Sequence, residues 1–116
     1  MIINLDAAKR YYIMTGRTDL LKGVDSLAAL VQNDYQLNPF EKNRFLFCGS
    51  RLDRFKALYW DGQGFWLLYK RYESGRIHWP RQKESLKEID RHQLIQLMDG
   101  FLIAPSVQSL EGSYTM

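Results

Sequence analysis

The chain has 116 residues, of which 46% are hydrophobic and 25% charged, and its formal net charge at pH 7 is +3. This length and composition are typical of one soluble globular domain with a modest core. No apolar run approaches the roughly 18 residues of a membrane-spanning helix, and no secretory signal is recognisable at the N-terminus. Because Cys48 is the only cysteine, an internal disulfide is excluded. We therefore expect a protein of the reducing cytoplasm that does not associate with membranes.

The positive charge is concentrated in the middle of the chain. Residues 51–87 carry nine Lys or Arg and four acidic residues, whereas residues 88–116 carry one Arg and four acidic residues. Eight of the sixteen aromatic residues lie between Phe55 and Trp79. This distribution is compatible with an anionic polymer as partner. The alternative is that long cationic side chains keep the rim of a sheet soluble.

The first part of the chain predicts a strand, a helix and a second strand. Residues 9–14 (KRYYIM) are β-prone and are followed by a Thr-Gly turn signal. Apolar residues then recur at spacings of three and four, which predicts a helix that begins after Gly23 and ends at Asp34, with residues 18–22 as an ordered turn. The short apolar run at residues 45–48 (FLFC) is typical of a buried strand.

The clearest structural signal is a hairpin over residues 54–71. The turn Asp61-Gly62-Gln63-Gly64 lies between two apolar runs, as in a tight β-hairpin. The predicted register has four pairs on one face: Trp60 with Phe65, Leu58 with Leu67, Lys56 with Tyr69, and Arg54 with Arg71.

The other face of this hairpin is predicted to be the core side. Its apolar and aromatic side chains are Phe55, Ala57, Tyr59, Trp66, Leu68 and Tyr72.

The C-terminal part predicts one more strand and a helix. A turn at residues 73–75 leads into a strand over Arg76–Trp79, and the polar segment Arg81–Glu88 is interpreted as an exposed linker. Asp90 and Gln93 resemble a capping box at the start of a last helix, which Gly100 ends.

The predicted fold is α+β, with a mostly antiparallel sheet of about five strands and two helices in a single domain. We expect this domain to span residues 1–105 and residues 106–116 to form a flexible tail.

Residues that could support catalysis or bind a metal are few and scattered. Cys48 lies in an apolar run and is interpreted as a core residue, and the two histidines are far apart in the chain. We therefore predict no catalytic residue, no metal site and no cofactor. Four aspartates could hold magnesium in a nuclease, but the hairpin turn, a helix or turn cap and neighbouring arginines explain Asp61, Asp19 and Asp53 better. They are Asp19, Asp25, Asp53 and Asp61.

The aromatic and basic residues of the hairpin region support a nucleic-acid surface. Cationic side chains beside aromatic rings on a sheet can neutralise phosphates while the rings stack on bases. The candidate contacts are Arg51, Arg54, Lys56, Tyr69, Lys70, Arg71 and Arg76. The three tryptophans are interpreted as core residues.

The chain also resembles a known family over about residues 11–100. Residues 56–71, KALYWDGQGFWLLYKR, are similar to the K-x-L-x-W-D-G-x-G-x-x-L-x-x-K-R-L-E core of the TnpB-type accessory proteins of insertion sequences of family sixty-six. Residues 18–28, TDLLKGVDSLA, resemble the family segment T-D-M-R-K-G-x-D-x-L-A. Leu21 stands where the family usually has arginine, which weakens the case for a DNA contact at residues 18–23.

The resemblance implies an accessory role in transposition, beside a separate transposase that performs strand transfer. The expected partners are DNA, the transposase encoded by the same element, or both. The alternatives are a module that contacts only the transposase and a metal-dependent nuclease.

Overall fold

The computed structural model describes residues 10–81 and 85–99. The elements in chain order are β1 (Tyr11–Met14), α1 (Val24–Ala29) with a π-helical continuation (Leu30–Asp34), β2 (Arg44–Cys48), β3 (Arg54–Trp60), β4 (Phe65–Arg71), β5 (Leu86–Ile89) and α2 (Arg91–Asp99). The strands form one sheet in the order β4-β3-β2-β1-β5. β1 and β2 pair in parallel, and the other neighbours pair antiparallel. The predicted α+β class with a mostly antiparallel five-stranded sheet is confirmed.

β2 is the central strand, and both of its faces are buried. Successive side chains of a strand point to opposite faces, so Phe45 and Phe47 lie on one side of the sheet and Leu46 and Cys48 on the other. All four are at most 1% exposed. The continuous apolar run in the sequence is explained by this two-sided burial.

The helix α1 covers one face of the sheet. A connection between two parallel strands has to cross the sheet, and α1 lies in the crossover from β1 to β2. Leu27 and Val31 are fully buried in a cluster with the two phenylalanines of β2 and with Leu58. The predicted start of the helix after Gly23 is confirmed, since Val24 is its first residue. This start keeps glycine out of the helix interior, where it costs about 1 kcal/mol relative to alanine.

The segment after the hairpin covers the opposite face. Ile77 and Trp79 are buried there, and Leu94 of α2 joins the same cluster. The indole Nε1 of Trp79 donates a hydrogen bond to the Met14 carbonyl at 2.7 Å. Residues 76–80 are thus held against the sheet by two buried side chains and a buried hydrogen bond.

The predicted strand at Arg76–Trp79 is wrong. This segment crosses the face of the sheet instead of lying along an edge, because its alternate side chains enter the core there. The fifth strand is β5, whose first three residues fall inside the segment interpreted as a linker. β5 pairs antiparallel with β1 from Ile89 opposite Tyr11 to Leu86 opposite Met14. The sequence of β5 lacks the apolar pattern of a strand, because Ile89 is its only buried residue.

The hairpin of β3 and β4 has the predicted register, including Trp60 opposite Phe65. Asp61 organises the turn. Its Oδ1 accepts hydrogen bonds from the Gln63 and Gly64 amides at 2.8 and 3.0 Å, and its Oδ2 accepts one from Trp66 Nε1 at 2.8 Å. These amide donors, with the indole, hold the pKa of Asp61 below its usual value. The interpretation of Asp61 as a turn residue is confirmed.

The core extends beyond the one hairpin face that was predicted. Phe55 and Ala57 are buried on that face as expected. Leu58, on the other face, is also fully buried, because α1 packs over it. Of the three tryptophans, Trp79 is buried whereas Trp60 and Trp66 are half-buried.

The last described helix begins as predicted. The Asp90 amide donates to Gln93 Oε1 at 2.9 Å, and the Gln93 amide donates to Asp90 Oδ1 at 2.7 Å, which is a reciprocal capping box. No helix among the described residues is long and apolar enough to cross a membrane. The predicted helix end at Gly100 and the predicted tail at residues 106–116 lie outside the described residues.

Replacing Trp79 with Phe should lower the free energy of unfolding by about 1–3 kcal/mol, because the buried Met14 carbonyl loses this donor. Urea denaturation followed by circular dichroism measures the change. His78→Ala alters the exposed neighbour and should stay within about 0.5 kcal/mol of the wild type. Equal effects of the two substitutions would contradict the docked arrangement of residues 76–80.

Acid should weaken the hairpin turn through Asp61. Because the pKa of Asp61 is lowered in the folded protein, the unfolded chain binds a proton more readily, and this stabilisation is lost as the pH falls below about 4. Asp61→Asn removes the titrating group. Its melting temperature should therefore lie below that of the wild type at pH 6, and the difference should shrink by pH 3.

Thermal melts of both proteins across this pH range measure the effect. Asp34→Asn removes an exposed carboxylate at the helix end and serves as the matched control. A constant difference between wild type and Asp61→Asn at all pH values would rule out the proposed linkage.

Candidate nucleic-acid interface

Five of the predicted contacts lie together at the end of the hairpin opposite its turn. Lys56 pairs with Tyr69 and Arg54 with Arg71, so these side chains share the face that carries α1. Arg51 precedes β3 at the same end. We call Arg51, Arg54, Lys56, Tyr69 and Arg71 the cationic end.

The other two predicted contacts lie elsewhere. Lys70 pairs with Phe55 and lies on the opposite face of the sheet, where its Nζ is 4.6 Å from the ring centroid of Tyr72. Arg76 is exposed in the segment that covers this opposite face. The seven candidate residues therefore divide between two faces and do not form one continuous surface.

An open groove of about 290 Å³ lies beside the cationic end. It is lined by residues 18–21, residues 49–51, Arg54 and Tyr69. The structure thus brings the two sequence segments of the family resemblance together, although they are far apart in the chain. A shallow groove of this shape suits an extended ligand better than a small enclosed substrate.

Arg81 holds the loops behind this groove in place. Its guanidinium donates to the Gly16 carbonyl at 2.7 Å and to the Gly49 carbonyl. The Thr18 amide donates to the Cys48 carbonyl at 2.8 Å. Sequence reasoning assigned Arg81 to an exposed linker and missed this role. Nothing local could reveal it, because its partners are 65 and 32 residues away in the chain.

Gly49 allows the two loops of the groove to approach closely. A Cβ atom at this position would lie 3.2 Å from the Thr18 carbonyl oxygen and 3.2 Å from Leu20 Cγ. A larger residue here would have to displace the Thr18 backbone by a few tenths of an ångström, so glycine fits this position best.

Most cations of the cationic end are paired within the chain. Arg54 Nε lies 2.8 Å from Asp53 Oδ1, and Arg51 lies 3.6 Å from the same carboxylate. The hydrogen bond from Arg54 lowers the pKa of Asp53. Arg71 pairs with Glu73 at 3.0 Å. The arginines of the Arg51 and Arg71 pairs are exposed, and such pairs add little stability, so a phosphate can replace the carboxylate at small cost.

Lys56 has a structural contact in addition to its position at the cationic end. It is half-buried, and its Nζ donates to the Lys22 carbonyl at 3.1 Å. This bond ties β3 to the turn that precedes α1. A substitution of Lys56 would therefore alter the fold as well as the charge.

The described residues contain no group of three or more His, Cys, Asp or Glu side chains that could hold a metal ion. Cys48 is fully buried, and this burial raises the pKa of its thiol, which is the opposite of what a nucleophilic cysteine needs. The interpretation of Cys48 as a core residue is confirmed. His78 and His92 are both exposed.

Comparison with known proteins agrees with the sequence resemblance. The model of the family described as IS66 Orf2 like protein matches residues 9–108. The chain belongs to this family. Membership of the IS66 Orf2-like family implies an accessory role in transposition by insertion sequences.

Two relatives come from Sinorhizobium fredii (strain NBRC 101917 / NGR234). Uncharacterized protein y4hO is 40% identical over 91 residues, which cover 78% of this chain and 79% of the relative. Uncharacterized protein y4jC is 31% identical over 91 residues, which cover 78% of each chain. No solved structure matches the chain.

Proposed function

We propose that the protein is a non-catalytic accessory factor in DNA transposition that binds DNA, the transposase of the same element, or both. Its place in the IS66 Orf2-like family supports the transposition context. The single observation that supports DNA as the ligand is the cationic end, where Arg51, Arg54 and the half-exposed Tyr69 line an open groove and Arg71 lies opposite Arg54 on the neighbouring strand.

The proposed mechanism is electrostatic. Arg51 and Arg71 have side chains that are 71% and 53% exposed, and each exchanges a carboxylate of this chain for a phosphate of DNA. Counterions leave the DNA at each such contact, which makes the affinity strongly dependent on salt. Tyr69 is 52% exposed and is available to stack on a base.

The carboxylates of this region support a binding role rather than catalysis. Asp19 Oδ1 accepts a hydrogen bond from the Leu21 amide at 2.9 Å, which explains it as a turn residue. Asp53 is engaged by two arginines and Asp61 by the hairpin turn. Two-metal nucleases need several carboxylates that converge on one point, and these three serve separate local structures.

The test compares two double variants with the same change in charge. Arg51→Glu with Arg71→Glu reverses the cationic end, whereas Arg10→Glu with Lys42→Glu reverses two exposed cations near the starts of β1 and β2. β2 begins beside the turn end of the hairpin, since Arg44 pairs with Tyr59. Lys56 is left intact because of its bond to the Lys22 carbonyl.

Binding to duplex DNA with the terminal inverted repeats of the element is measured by fluorescence anisotropy. Wild-type affinity should fall steeply between about 50 and 200 mM salt. The cationic-end variant should bind at least tenfold more weakly. The slope of log affinity against log salt concentration should become shallower by about two, because two phosphate contacts are lost. The control variant should retain most of the affinity, and both variants should melt close to the wild type. Equal affinity of the two double variants would disprove the proposed surface.

A second candidate function is binding to the transposase without DNA. The observation in its favour is that Leu21, at the rim of the groove, is 93% exposed and Phe40 is 51% exposed. An apolar side chain this exposed at the rim of a groove can anchor a protein partner.

A pull-down of tagged transposase from nuclease-treated extract tests this candidate. Leu21→Asp should reduce capture severalfold, whereas Ile95→Asp, at a residue of α2 that is 51% exposed, should not. If wild-type protein binds no DNA but captures the transposase in a Leu21-dependent way, the second candidate replaces the first. If capture is equal in all three proteins, Leu21 is not part of the interface.

A further inference from the structure

β4 forms one edge of the sheet and carries a row of backbone groups that β3 does not use. The Asp61 amide donates to the Gly64 carbonyl, and the Tyr72 amide donates to the Asp53 carbonyl. In an antiparallel ladder, the residues that bond to the neighbouring strand alternate along the chain. Even-numbered residues of β4 therefore bond to β3. The odd-numbered residues direct their amides and carbonyls away from the sheet: Phe65, Leu67, Tyr69 and Arg71.

The two edges of the sheet differ in how they are protected. β5 has four residues, two of them charged, and Glu88 lies 3.5 Å from Arg10 across the strand pair. β4 has seven residues, and the first five of them are uncharged. A long, uncharged edge strand is a template for pairing with another strand.

The sequence of β4 complements itself in antiparallel pairing. A two-fold axis at Leu68 pairs all seven residues of one copy with those of another, and the four outward-directed residues then exchange their hydrogen bonds. Lys70 lies opposite Trp66 of the second copy, and Arg71 lies opposite Phe65. Each cation thus faces an aromatic ring, which is a favourable cross-strand pair. Parallel pairing in register would instead place each cation beside the same cation of the second chain, which is unfavourable.

An exposed aromatic cluster lies where this pairing would bring a cation. The Phe65 ring is 5.2 Å from Phe40 and 5.0 Å from Trp60, and Phe40 is 51% exposed. Arg71 of the second copy would lie beside this cluster. The pairing therefore gives these rings a cationic partner that none of the described residues of the single chain supplies.

We propose that the protein forms a two-fold symmetric dimer in which two copies pair antiparallel through β4, with the axis at Leu68. The two sheets join into one continuous sheet, and α1 of each copy lies on the same face, because a two-fold axis perpendicular to the sheet preserves its faces. The proposal does not depend on DNA binding, since its contacts are made by backbone groups and side chains of β4 and by the rings beside Phe65, although it shares Tyr69 and Arg71 with the cationic end.

Cysteine cross-linking tests both the dimer and its register. Leu68→Cys places two thiols at a pair that is not hydrogen-bonded, with Cα atoms about 4.5 Å apart, inside the range of about 4.4–6.8 Å that a disulfide spans. Mild oxidation should give a covalent dimer on a non-reducing gel. Glu88→Cys, on the β5 edge, is the matched control and should remain monomeric, and the buried Cys48 does not react in either protein.

A mixture of Trp66→Cys and Lys70→Cys proteins should cross-link, whereas each variant alone should not, because these positions face each other only across the axis. Sedimentation velocity of the wild type should show a dimer. Tyr69→Pro, which removes an outward-directed amide, should be a folded monomer. A wild-type protein that is monomeric at all concentrations, or equal cross-linking through Leu68→Cys and Glu88→Cys, would overturn the proposal.

Discussion

The two-sided burial of β2 is the constraint on which the rest of the structure depends. Phe45 and Phe47 need a cover on one face, and Leu46 and Cys48 need a cover on the other. The crossover helix supplies the first cover and residues 76–80 with α2 supply the second. Because burial of apolar side chains is the main favourable term in folding, the chain has to place an element on each face before the sheet is stable.

This arrangement restricts where a partner can bind. Both faces of the centre of the sheet are occupied, so the accessible features of the described residues include the ends of the strands and the two edge strands, β4 and β5. The groove at the cationic end forms where residues 18–21 meet the turn after β2. Arg81 and Gly49 set the distance between these loops, one by donating hydrogen bonds and the other by lacking a side chain. The proposed surface is therefore a consequence of how the core is covered.

The cations of the cationic end differ in how strongly contacts within the chain hold them. Lys56 is bound to a backbone carbonyl and is part of the structure. The exposed side chains of Arg51 and Arg71 each pair with one carboxylate, and screening by salt and water weakens such pairs. The residues with the weakest internal contacts are thus the best suited to exchange partners. Charge in the sequence identified the region, but only the contacts separate structural cations from available ones.

The sequence by itself determined the features that depend on near neighbours. The hairpin register follows from the turn at Asp61, and the capping box follows from Asp90 and Gln93, because their hydrogen bonds span five residues or fewer. Only the tertiary structure decided that β5, and not residues 76–79, completes the sheet, and that Arg81 joins two distant loops. The pairing of β5 and the hydrogen bonds of Arg81 depend on which strand edge or carbonyl lies nearby after the core has formed. A local pattern of residues does not encode the spatial distance between segments that are far apart in the chain.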